Sequence, residues 1–205
     1  MIENGVLFSY GGITLARVIA GWLIGCGIGI PLGWIVGNSK VVERLINPYI
    51  DFFRFVPPIV WVTVIVIWFG FGEISRVLLV AYTAAFIVVI STIIGVHQVE
   101  EEKIRAAKSL GANEIQLFTH VKIPASIPHV YSGMLVALGG AFMTIVAAEM
   151  LTASSGIGYL IWTQRLYFRL DWVFAGILLL GFLGLLTDIA FKRIGRFALK
   201  KYNVK

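Results

Sequence analysis

The chain has 205 residues, of which 59% are hydrophobic and 14% charged, with a formal net charge of +6. A soluble domain of that length needs far more charge to cover its surface. Nucleic-acid binding fits poorly too, because the Lys and Arg residues flank apolar stretches instead of forming one basic patch.

Apolar windows of ~20 residues, the length that crosses a ~30 Å hydrocarbon core, recur along the chain. The first runs from about Val18 to Val36, broken only by small residues and Pro31. Met1 to Tyr10 before it has no basic n-region and no small-residue cleavage site, so the first span is expected to act as the insertion signal. Cys26, the single cysteine, reads as a small packing residue. The second span is expected at Val56 to Phe71, opened by Pro57-Pro58, and the third at Val77 to Val96. A polar stretch from His97 to Lys122 follows, then a fourth span at Val130 to Leu151 and a fifth at Val173 to Phe191. A basic tail, Lys192 to Lys205, ends the sequence. The reading is an all-α, polytopic bundle of about five membrane helices, one domain over residues 1–205.

Five crossings divide the seventeen Lys and Arg residues thirteen to four. One side takes the first loop (Lys40, Arg44, Arg54), the third (Lys103, Arg105, Lys108, Lys122) and the six basic residues of the tail, among them Lys201 and Lys205. The other side takes Arg17, Arg76, Arg165 and Arg169. The positive-inside rule therefore puts the C-terminus in the cytoplasm and the N-terminus outside. The six tryptophans mostly fall toward span ends, as an aromatic belt requires. Glycines inside the spans (Gly21, Gly25, Gly27, Gly29, Gly33, Gly139, Gly140, Gly181, Gly184) predict close helix packing.

The polar stretch from about residue 97 to 128 is too regular to be a simple linker. Val99, Ile104, Ala107 and Leu110 alternate with charges at helical spacing. Gly111 marks a stop, and Asn113 can cap a second short helix through Phe118 and Val121. Pro124 is expected to end that helix, with Ser126 capping the next span and Pro128 in its first turn. By these features alone the element fits either a groove in a cytoplasmic partner or the lipid surface. No metal-ligand pair, nucleophile elbow or phosphate-binding glycine loop accompanies it.

The residues of this stretch resemble the EAA loop of ABC importer permeases. Ala106-Ala107, three residues, Gly111, nine residues, then Val121-Lys122-Ile123-Pro124 keep its spacing, with Arg105 where the family often has Glu. The resemblance extends over nearly the whole chain and is closest to the nitrate/sulfonate/taurine branch. It is carried by Gly29-Ile30-Pro31-Leu32-Gly33, by Pro57-Pro58 with Trp61, and by Trp68 to Glu73. Ala106 to Ala112, Ala148-Glu149-Met150 and Ser155 to Tyr159 complete it. Phe55, Thr63 and Leu135 depart from the branch, which also commonly carries an extra N-terminal span.

The resemblance implies a type I importer permease fold with a cytoplasmic coupling loop built on Ala106, Ala107, Gly111, Val121, Ile123 and Pro124. It implies a multi-pass protein of the cell (inner) membrane, in lipid, that binds no cofactor itself; ATP and Mg are used by partner ATPase subunits. A second permease subunit, as a homodimer, and a substrate-binding protein complete the assembly. The solute is expected to be small and anionic: nitrate, a sulfonate, taurine or similar. Glu149, near the far end of the fourth span, reads either as an outer gate or binding-protein contact with Gly156 and Gly158, or as a carboxylate satisfied by Ser154, Ser155 or backbone N–H groups. Asp188 reads as a partner for Lys192 and Arg193. The alternative is a secondary transporter or channel subunit without ATP coupling, which usually carries ionisable or broken-helix sites at the midplane.

Overall fold

In lipid a chain must satisfy its N–H and C=O groups internally, and each apolar segment is a helix in the computed structural model, which describes residues 5–200. Lys201 and Lys205 lie outside the described residues. α1 (Val6–Asn38) begins a dozen residues before the expected start, because Phe8, Tyr10 and Leu15 extend its apolar periodicity. α4 (Glu73–His97) contains the third span and is a few residues longer, while α9 (Leu170–Ala198) extends the fifth span by about a turn before it and two turns beyond it, into the expected basic tail.

The second span is not one straight helix. α2 (Lys40–Phe55) and α3 (Pro58–Phe69) meet at 96°. Proline disfavours helical backbone in the residue before it, so Pro57-Pro58 breaks the run, and Pro58 then starts α3 where its missing N–H is harmless. α3 has 12 residues, a rise of ~18 Å that cannot cross alone. The pair nevertheless crosses together. Gly21, Gly25, Gly29, Gly33 and Gly37 of α1 face Val80, Ala84, Val88, Thr92 and Val96 of α4 in rising order. Those two helices are therefore parallel, and only a return through residues 39–72 can connect them.

Close approach explains the glycines of that seam. A Cβ on Gly21 or Gly33 would sit 2.6 Å from Val80 Cβ or 2.5 Å from Thr92 Cβ. Gly140 meets Ile87 in the same way, whereas Gly27, Gly139, Gly181 and Gly184 have nothing within 4 Å and are not part of any intrachain seam. The core lies where α1, α4 and α7 meet, with Val18, Val80, Ala84, Val88, Ala137, Ala141 and Ile145 essentially inaccessible. Trp22 and Trp34 belong to that interior more than to a belt. Their indole N–H groups donate to the Met134 carbonyl (2.9 Å) and to Ser126 Oγ (3.0 Å).

After α4 come α5 (Glu101–Ser109) and α6 (Glu114–Leu117), then a π-turn, Phe118–Lys122, that runs directly into α7 (Ile123–Thr152). Pro124 does not end a helix here. The wider turn, in which the Ile123 N–H reaches the Phe118 carbonyl, passes the proline's missing donor within one continuous rod of 39 residues, Glu114–Thr152. Ser126 is accordingly no cap. It is fully buried and donates to the Ile123 carbonyl at 2.8 Å. Pro128 likewise lies inside α7. α8 (Ile157–Leu166) is short and leads through Phe168, at φ 54°, into α9.

Candidate functional site

At the end of the bundle where α1 and α4 finish, α5 and α6 form an elbow. α5 closes in a Schellman turn: the Ala112 N–H donates to the Ala107 carbonyl (3.1 Å) and the Gly111 N–H to the Lys108 carbonyl (2.9 Å). That turn puts Gly111 at φ 84°, a region a side chain resists. Asn113 then caps α6 reciprocally with Gln116, each backbone N–H donating to the other's side-chain oxygen at 2.8 and 2.9 Å. The glycine stop and the asparagine cap stand where the sequence puts them. No residue of α5 is buried, Leu110 is 89% exposed and Ile115 75%. Ala107, Gly111 and Val121 line one shallow groove with Gln116 and His120. Ala106 is exposed beside it, while Ile123 and Pro124 lie half-buried in the rod behind. Among the described residues nothing covers the elbow.

The opposite end holds a buried ionic clasp. Glu149, three residues before the end of α7, is fully buried. Its carboxylate accepts from Thr14 Oγ1 (2.9 and 3.0 Å), from Arg17 Nη1 (2.8 Å) and from the Gly158 N–H (2.8 Å). Thr14 Oγ1 in turn accepts the Ile157 N–H at 2.9 Å. Arg17, 3% exposed, also donates to both oxygens of Glu73 at 2.6 Å and to Ser155. Arg76 donates to Glu73 at 2.7 Å and to Thr152. The clasp thus ties α1, α4, α7 and the start of α8 together with every charge partnered.

Gly156 and Gly158 are clasp residues by steric necessity. A Cβ on Gly156 would stand 2.4 Å from the Glu149 carboxyl carbon, and one on Gly158 2.6 Å from the Val146 carbonyl. Of the partners named for Glu149 from the sequence, the backbone N–H is present, and Ser155 serves Arg17 instead. The Glu149 side chain is wholly enclosed by residues of its own chain. Thr14, Arg17, Glu73 and Arg76 escape a reading that starts the first span at Val18. The available signal was a cation one turn after a threonine on an apolar helix face. Asp188 pairs with Lys192 at 2.7 Å, as expected from their spacing.

The sequence profile of the family described as binding-protein-dependent transport system inner membrane component matches residues 29–199. The taurine transport system permease protein TauC of Escherichia coli is 33% identical over 194 residues, 94% of this chain and 70% of TauC. The nitrate import permease protein NrtB of Synechococcus elongatus is 34% identical over 150 residues, 73% of this chain and 54% of NrtB. Among solved structures, a chain of the MetNI methionine ABC transporter in an inward-facing conformation superposes with a TM-score of 0.82. It covers 96% of this chain and 98% of its own length at 18% identity, a likeness of fold.

Proposed function

This chain belongs to the family of binding-protein-dependent transport system inner membrane components, and on that premise we propose that it carries a small anionic solute inward through the membrane. It is a permease subunit of an ABC importer and a multi-pass membrane protein. The names of TauC and NrtB, taurine and nitrate transporters, support a sulfonate or nitrate-like cargo. Two copies of the chain work with two ATPase subunits, which use ATP and Mg, and with a substrate-binding protein. The elbow end faces the cytoplasm and the clasp end faces outward.

The elbow carries this reading. A loop left uncovered by the described residues, fixed by a Schellman turn and a capping box, is built to seat in a partner's groove. Ala106, Ala107 and Gly111 allow close approach there, and Val121, Ile123 and Pro124 join the elbow to the rod. Closure of the ATPases on ATP then moves α6 and α7 as one piece, and the displacement arrives at Glu149 and its partners near the rod's other end. Uptake into proteoliposomes with and without ATP and the partner ATPase tests it. ATP-dependent uptake is expected; uptake by this chain alone, driven by an ion gradient, overturns it in favour of a secondary transporter.

A further inference from the structure

α2 divides by helical position into three sectors. Ile46, Ile50 and Phe53 turn toward α1 and α4, where Ile50 packs with Val36, Val89 and Ile93. Val41, Leu45, Tyr49 and Phe52 form an exposed apolar sector, each at least 64% exposed. Between them Lys40, Arg44, Asn47, Asp51 and Arg54 recur at three- and four-residue spacing, a polar stripe ~100° wide.

The far half of this stripe is not at the membrane surface. α2 climbs beside α4: its start lies near Val36 and Val96, while the Phe53 carbonyl accepts from Tyr82 Oη at 2.9 Å. Tyr82 is 15 positions from His97, so Asp51 and Arg54 stand ~20 Å in from the elbow end of a ~30 Å hydrocarbon core. Their side chains are 58% and 43% exposed and pair at 3.1 Å. Exposed charges at that depth need water. The helix end makes a second, independent demand. The Phe53 carbonyl is served by the Val56 N–H and Tyr82 Oη, but the Arg54 carbonyl meets Pro58, which brings no N–H, and broken backbone at membrane depth is tolerated only inside protein or beside water.

We propose that the Lys40–Arg54 stripe of α2 is a wall of the aqueous path on its cytoplasmic side, with Arg54 at its inner end selecting small oxyanions. The inference rests on the transport reading above and names the cargo-facing residues. Three cations stand on the stripe against Asp51, with Glu43 at its edge held by His97 (3.4 Å) and Asn47 (3.3 Å). The guanidinium of Arg54 lies over the Phe55 ring at 4.9 Å and offers its remaining donors to a sulfonate or nitrate oxygen.

Single cysteines in the assembled importer, on a Cys26→Ser background, test this with charged methanethiosulfonates applied from the cytoplasmic side of proteoliposomes. Asn47→Cys and Asp51→Cys are expected to react at least about tenfold faster than Leu45→Cys, Phe52→Cys and Ile50→Cys, since thiolate formation needs water. Adding Arg54→Gln to Asn47→Cys should lower the preference for the anionic over the cationic reagent about fourfold, one unit charge ~10 Å away acting oppositely on the two. Slow reaction at 47 and 51 with ATP-driven uptake by the Cys26→Ser parent intact overturns the inference and leaves the transport reading standing. An unchanged reagent preference overturns the role of Arg54. Fast reaction at 47 and 51 with no ATP-driven uptake by the Cys26→Ser parent keeps the aqueous wall and removes the transport reading.

Discussion

The two ends of the 39-residue rod are built on opposite principles. At the clasp, Thr14, Arg17 and Glu149 are almost wholly buried, and each polar atom is matched across four helices. At the elbow nothing in α5 is buried, and the order comes from backbone turns and one reciprocal cap. A clasp of buried charges is stable only if every partner is in place, so substitution there acts on the fold. An elbow made of local bonds can be altered with little global cost, so substitution there acts on what it touches. On the proposed coupling role, the difference separates residues that hold the bundle together from residues that would communicate with a partner.

The largest effect is expected at the clasp. Arg17→Ala leaves Glu149 and Glu73 without their shared cation, and loss of one member of a buried pair costs about 3–5 kcal/mol. Purified Arg17→Ala should melt well below the parent in detergent. The pair variant Arg17→Met with Glu149→Leu should lose clearly less than the two single changes added together. Additive losses would mean that the two residues do not act through each other. Gly156→Ala belongs to the same class. Its Cβ would overlap the Glu149 carboxylate on a backbone at φ 110°, so it too should lower the melting temperature and uptake together.

Gly111 should behave differently. Nothing lies within 4 Å of the Cβ it would carry, so Gly111→Val adds only the left-handed backbone cost, about 1–2 kcal/mol, in an element that bears no core. The melting temperature of the isolated permease should scarcely move. Co-purification with the ATPase, or ATP-driven uptake, should fall sharply. A variant that couples normally would show that the elbow is not the contact. A variant that melts as early as Arg17→Ala would erase the distinction between the ends.

Much of the elbow was legible in sequence because its signals are local: Gly111 as a stop, Asn113 as a cap, and the spacing to Val121 and Pro124. The clasp was not, since Thr14, Arg17, Glu73 and Glu149 are brought together by helix packing across 56 to 135 positions. Glu149 drew notice as an acid in an apolar run, but its partners were hidden by the late start given to α1. The charges between Lys40 and Arg54 suggest a solvated loop in a composition window, whereas their three- and four-residue spacing makes one stripe of the helix α2. Pro124 misled for a related reason. Proline signals a break only where the preceding turn is α-helical, and a π-turn removes that requirement.

The smallest effect is expected from the cap of α6, and it sharpens the comparison most finely. Asn113→Ala removes the side-chain acceptor for the Gln116 N–H and leaves Gly111 and the Schellman turn in place. Loss of an N-cap costs about 1 kcal/mol of local helix stability. A four-residue helix has little to spare, but it continues through the π-turn into α7, whose buried face keeps the rod formed. Fraying should therefore stay within the first turn of α6, visible as faster amide exchange at Ile115 to Leu117 without change at Ala141 or Ile145. ATP-driven uptake should drop by about two- to fivefold, since ~1 kcal/mol is at most a factor of five in the seated fraction. Asn113→Asp or Asn113→Ser keeps an acceptor at the cap and should restore most of the loss. If Asn113→Ala instead slows exchange at the elbow, or leaves uptake untouched while the Gly111→Val variant abolishes it, the contact belongs to the glycine turn alone and α6 serves only as the start of the rod.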